Sequence, residues 1–203
     1  MLVRRLLAGE RVTHEGAFHR LDGVALNVLP IQRPAPPIYV AALAREASYH
    51  IGRQGNRLMA IPYATAGTFA EVGELQQSYR RGRAEAGHGP EDDDSIYTFH
   101  CYVAESDEEA RAHAALPFDL YVETRLYARR QTYDDVLASG LALFGSVETV
   151  ARKVAALARM GIPHVALLMD FGLMPEVQVL RSMALFADSV MPRVRAASGS
   201  GSA

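Results

Sequence analysis

The chain has 203 residues and a formal charge of −2, with 49% hydrophobic and 22% charged residues. This composition can fill a core and excludes a mainly disordered chain. It leaves no basic footprint for nucleic acid, no run near the ~20 apolar residues of a membrane helix, and, with Cys101 alone, no internal disulfide.

The first residues hold charge but no apolar stretch of leader length. No secretion signal is read, and the cytoplasm is the expected compartment. Residues 2–8 read as the last turns of a helix. Residues 10–29 form a hairpin-like excursion, with Gly16 and Gly23 as turn punctuation. Residues 32–37 (QRPAPP) make a stiff connector that cannot continue a helix.

Residues 38–42 are apolar on both faces and read as a buried parallel strand. A modest helix follows over 45–54, then a second buried strand over 57–62. Thr68 and Glu71 predict a capping box that opens a helix ending near Gly87. Residues 91–94 (EDDD) read as a solvated acidic loop; they lack the spacing and glycine of a calcium loop. A third strand spans 96–104, with Tyr97, Phe99, Cys101 and Val103 alternating. Ser106 and Glu109 predict a second capping box, on a helix ending about Pro117. Another helical stretch is expected over 118–130, then a loop with a helical turn to 143.

Gly145 and Ser146 open the clearest helix, with Val147, Val150, Ala151, Val154, Leu157 and Ala158 on one face. Gly161 and Pro163 stop it. Residues 164–171 read as a fourth strand, broken by Gly172. Pro175 suits the first turn of a last helix that ends at Met191 and Pro192. Residues 195–203 are expected to be a flexible Gly/Ser tail. Buried strands alternating with amphipathic helices predict an α/β fold with a parallel sheet. Four such units are half of a barrel that usually takes ~250 residues. In an open doubly wound sheet, a glycine-rich turn would follow the first strand; residues 41–45 (AALAR) hold no glycine.

Several stretches resemble the bacterial-luciferase-like family of flavin-dependent monooxygenases. They are residues 9–16 (GERVTHEG) with 18–21 (FHRL), 32–41 (QRPAPPIYVA), 143–153 (LFGSVETVARK) and 161–172 (GIPHVALLMDFG), followed by 180–183 (LRSM) and 186–192 (FADSVMP). Their order and spacing over about 190 residues carry the resemblance. It implies a (β/α)8 TIM barrel, of which residues 1–194 supply strands five to eight as a half-barrel. Met1 would then fall inside a barrel helix, so a truncated product, an excised fragment or one half of a split pair is expected.

The resemblance implies an enzyme that oxygenates a small organic substrate through reduced flavin and molecular oxygen. The flavin would be the mononucleotide, FMN, supplied reduced by a separate nicotinamide-dependent reductase. The deazaflavin F420 is the alternative cofactor. A non-catalytic flavin-binding or structural half-barrel, or an inactive fragment, is the alternative role. A half-barrel leaves open sheet edges and an apolar face, so a homo-oligomer or a complementary half-chain is the expected partner. In the family the catalytic histidine or cysteine lies in the first half, so no catalytic residue is assigned here.

Two candidate flavin contacts carry over. In relatives the strand matching 38–42 is followed by a hydroxylated residue that opens a helix and holds the flavin phosphate. Here Leu43, Ala44, Arg45 and Glu46 stand there; Glu46 matches, while Ala44 replaces the hydroxyl. Arg45 supplies phosphate charge, or is a solvated first-turn residue. Asp170 and Phe171 end the last strand at the rim where barrel sites lie, or begin a turn and pack the core.

Tyr121, Arg125, Tyr127, Arg129 and Arg130 crowd a segment that borders the site in relatives, or cover the barrel wall. His100 and Cys101 point to opposite faces of one strand and read as core residues. His14 and His19 lack metal-ligand spacing, and no metal site is expected. Arg80, Arg81 and Arg83 read as a solvated face.

Overall fold

The computed structural model describes residues 2–125 and 130–199. The chain divides into two compact units, Met1–Ile38 and Tyr39–Ala203. In the first, helix α1 (Leu2–Leu7) precedes an antiparallel hairpin of β1 (Val12–Glu15) and β2 (Arg20–Val24). The Gly16 amide donates to the His19 carbonyl and closes the turn. The expected excursion is therefore a true hairpin.

The second unit is built on parallel strands β3 (Tyr39–Ala42), β4 (Arg57–Ala60), β5 (Ile96–Ala104), β6 (Leu143–Ser146) and β7 (His164–Leu168). β5 is the centre. Its Ile96 and Tyr97 pair with both β4 and β7, so these two lie on opposite edges of it. The order is β3-β4-β5-β7, with β6 pairing to residues 101–104 of β5. Between strands come α2 (Ala47–Arg53), α3 (Pro62–Thr65), α4 (Phe69–Glu85), α5 (Asp107–Glu123), α6 (Tyr133–Ser139) and α7 (Val147–Arg159). After β7 run α8 (Glu176–Leu185), one π-helical turn over Phe186–Val190, and α9 (Met191–Gly199).

Alternation along β5 sorts two cores. Tyr97, Phe99, Cys101 and Val103 join Leu58, Val72, Leu75, Val150 and Leu157, the helix-backed core. Tyr102 and Ala104 join Ala110, Ala114, Phe118, Phe144 and Phe171 on the other face, under α5. Two glycines let α2 lie close on α4. A Cβ on Gly52 would overlap the Tyr79 carbonyl, and one on Gly82 the Tyr49 carbonyl.

The N-terminal end of the sheet is tied by two aspartates. Asp94 accepts from Tyr39 Oη at 2.6 Å, pairs with Arg57, and meets His164 Nε2 at 2.6 Å, so it bridges three strands. Asp93 accepts from Gln76 Nε2 at 2.8 Å, Arg80 Nε at 2.6 Å and Ser95 Oγ at 2.8 Å. The acidic loop is thus an anchor, not a solvated turn. Arg83 is buried as well, donating to the Gly89 carbonyl. The sequence hides the anchor because Asp94's partners come from strands remote in the chain and Asp93 draws Gln76 and Arg80 from α4.

Other departures also have local causes. α5 runs through Pro117 because Ala110, Ala114, Phe118 and Val122 bury one continuous stripe, which offsets the lost backbone bond. β6 exists only through its pairing with β5; four residues that include a glycine carry little strand signal. Thr68 caps nothing with its side chain, while Glu71 accepts from the Gly67 amide. The complete capping box is instead Thr132 with Asp135, at the start of α6. α9 continues past Pro192 to Gly199, through the first residues of the expected tail.

Candidate functional site

The C-terminal end of the sheet is arranged around one histidine. His100 stands on the α5-covered face of β5 and is 3% exposed. Aromatic rings surround it edge-on, with centroids at 4.8 Å (Tyr121), 5.1 Å (Phe118), 5.5 Å (Tyr63) and 5.6 Å (Phe171). Burial, helped by the nearby Arg125 charge, pushes its pKa down to about 4, so the imidazole is neutral at pH 7. Its Nε2 is buried with no hydrogen-bond partner among the described residues, as are Thr98 Oγ1 on the same face and Arg125 Nε. Arg125 lies over the Tyr121 ring, 4.2 Å from its centroid.

Above this layer opens a groove of about 490 Å³, lined by Leu120, Tyr121, Thr124, Arg125, Leu168, Asp170, Phe171, Gly172 and Leu173. Phe171 belongs to both layers: it is buried, and its ring packs on Phe118 and Phe144. Asp170 sits beside it with its side chain exposed. The turn that follows is tightly made. Gly172 has φ +60°, and a Cβ there would overlap the Pro117 carbonyl oxygen of α5. Leu173 has φ +62° and is 90% exposed, an unusual backbone for a branched side chain.

The other candidate segment is separate. β3 and β7 stand at opposite edges of the four-strand order, roughly 14 Å apart by strand spacing. Leu43, Ala44, Arg45 and Glu46 are exposed. The Ala44 and Arg45 carbonyls accept from the Ala47 and Ser48 amides at 3.2 and 3.3 Å, so the first helical donors are already turned inward. The Arg45 guanidinium pairs with Glu74 and, at 3.6 Å, with Glu71 on α4.

Cys101 points into the helix-backed core, where burial raises its thiol pKa. Arg130 lines a smaller groove of about 260 Å³ with Asp119 and Glu123. Tyr127 and Arg129 lie outside the described residues. Among the described residues no group of His, Cys, Asp or Glu gathers to hold a metal, and no helix is long and apolar enough to cross a membrane. Sequence reasoning missed Thr98 and the unmatched state of His100. The only signal was their even-numbered alternation on β5.

A parallel sheet backed by helices, with its groove at the C-terminal strand ends, is the α/β arrangement from which (β/α)8 barrels are built. The sequence profile of the luciferase-like monooxygenase family matches residues 1–164. The chain belongs to this family. Monooxygenase RslO1 from Streptomyces bottropensis superposes with a TM-score of 0.79 at 30% identity, over 94% of this chain and 58% of that one. The oxygenating constituent of 3,6-diketocamphane monooxygenase from Pseudomonas putida, in complex with FMN, gives 0.71 at 17%, over 94% and 60%. An F420-dependent secondary alcohol dehydrogenase with an F420-acetone adduct gives 0.67 at 18%, over 95% and 59%. The chain therefore spans about three-fifths of the length of these structures.

Proposed function

We propose that the chain is the C-terminal half of a luciferase-like monooxygenase that oxygenates a small organic substrate with reduced FMN and molecular oxygen. The observation that carries this reading is the groove of about 490 Å³ at the C-terminal ends of the strands, where barrel sites lie. The residues present fit a flavin beside the groove: Tyr121 and Phe171 contribute aromatic edges to its wall. When bound, the flavin supplies the electrons for oxygen activation.

This chain's own residues orient the ring and exclude water. His100, neutral at pH 7, acts as a hydrogen-bond partner rather than an acid. Leu43, Ala44, Arg45 and Glu46 hold the phosphate, for which Arg45 exchanges Glu74 and Glu71 for the new anion. The partner proposed is a second copy or a complementary half-chain, which would cover the open edges of the sheet. Reduced flavin from a nicotinamide-dependent reductase fits the cytoplasm.

Titration of flavin fluorescence with the purified chain tests the reading. Saturable quenching of FMN is expected, with Arg45→Ala weakening FMN but leaving riboflavin, which has no phosphate, unchanged. Preference for F420 over FMN would reassign the cofactor. A folded chain that quenches neither, with or without a complementary half, would overturn the reading.

A further inference from the structure

The rim groove has a polarity of its own. Leu120, Leu168, Phe171 and Leu173 give it apolar walls, while among the described residues Arg125 and Asp170 are its only charged lining residues. Among the described residues no carboxylate pairs with Arg125; its guanidinium rests on the Tyr121 ring, and its Nε is buried and unmatched. With no carboxylate beside it, such a cation at the groove wall keeps its charge for an incoming oxyanion. Asp170, exposed on the rim, opposes a second negative charge. Leu173 keeps a left-handed backbone and an exposed apolar side chain at the groove's edge, a combination of strain and exposure retained where the side chain meets a ligand.

We propose that this groove takes a substrate with a single negative charge and an apolar body, its anionic end held by Arg125 and its body lying along Leu120, Phe171 and Leu173. The proposal rests on reading the groove as the substrate side of the flavin site and names the substrate class for it.

The test uses the full chain without flavin and follows the fluorescence anisotropy of three probes: 2-naphthoate, its neutral analogue 2-naphthamide, and naphthalene-2,6-dicarboxylate. Saturable binding of 2-naphthoate is expected, about tenfold tighter than either other probe, as a charge-assisted hydrogen bond supplies. Arg125→Gln brings 2-naphthoate to the level of the amide. Asp170→Asn strengthens the dicarboxylate. Leu173→Asn, which tolerates the left-handed backbone, weakens acid and amide by the same factor. Unfolding midpoints establish that each variant is folded.

Equal affinity for acid and amide, an Arg125→Gln variant that keeps the preference, or a folded chain that binds none of the probes overturns the proposal. FMN quenching without this preference sinks the proposal alone. Selective naphthoate binding without FMN quenching sinks only the flavin reading.

Discussion

At the N-terminal end of the sheet, Asp93 and Asp94 each receive several donors, from Gln76, Arg80 and Ser95 and from Tyr39, Arg57 and His164. Further along, Thr98 within β5 and His100 and Arg125 towards the C-terminal end bury polar atoms with no partner among the described residues. Arg83 also leaves its Nε unmatched near the first end, but its terminal nitrogens donate to Tyr79 Oη and the Gly89 carbonyl. The same strand, β5, runs from one regime to the other. One end spends its polar residues on holding strands together; the other keeps them unspent beside a groove. In barrel folds the first end serves stability and the second serves chemistry.

The harshest way to break this contrast is Gly172→Ala. Its Cβ meets the Pro117 carbonyl at a left-handed backbone position, so both the turn and α5 must shift. A loss of about 3 kcal/mol is expected in denaturant unfolding, together with loss of groove binding. A variant as stable as the parent would mean the rim is slack and the contrast is not built into it.

The pH dependence of stability sharpens the contrast. His100 titrates near 4 when folded and near ~6.5 when unfolded, so the unfolded chain takes the proton first as pH falls. Its contribution is full above about pH 6.5 and is lost progressively towards pH 4, up to roughly 3 kcal/mol. His100→Phe should remove that slope and raise stability at neutral pH by about 1 kcal/mol, since no buried nitrogen is left unmatched. A parental slope would mean that His100 has partners and the two ends are alike.

Asp94→Ala should cost roughly 2 kcal/mol, measured by thermal or denaturant unfolding. The Tyr39 hydrogen bond, with Arg57 and His164 adding to it, holds the Asp94 carboxyl below its ordinary value. Its contribution is therefore present above about pH 3.9 and is lost as pH falls through the folded pKa. The two ends thus separate on the pH axis, the rim responding above the anchor. An Asp94→Ala variant with unchanged stability would show that the anchor is ornamental.

Three of the parallel strands, β3, β4 and β7, were legible as short apolar runs, and β5 as an alternating one. β6 was not, since only the matching register Cys101 to Leu143 makes it a strand. The end of α5 was misplaced because Pro117 is a local signal, whereas the Ala110–Phe118 stripe gains its energy from a core assembled from distant segments. At the candidate site, Asp170 and Phe171 could be found from their place at the end of a strand. The unmatched nitrogens could not, because a missing partner is a property of three-dimensional neighbours. Arg125 was visible only as one residue in a crowded stretch.

β5 holds β4 on one edge and β7 on the other, and β7 is made only after α5, α6, β6 and α7. During synthesis the second edge of the central strand has no partner while some 60 residues emerge, roughly 3–12 s at ordinary elongation rates. For that interval a nine-residue strand rich in aromatic side chains is an open template for pairing with other chains. The strand that organises the finished sheet is also the stretch of nascent polypeptide that most needs shielding on the ribosome.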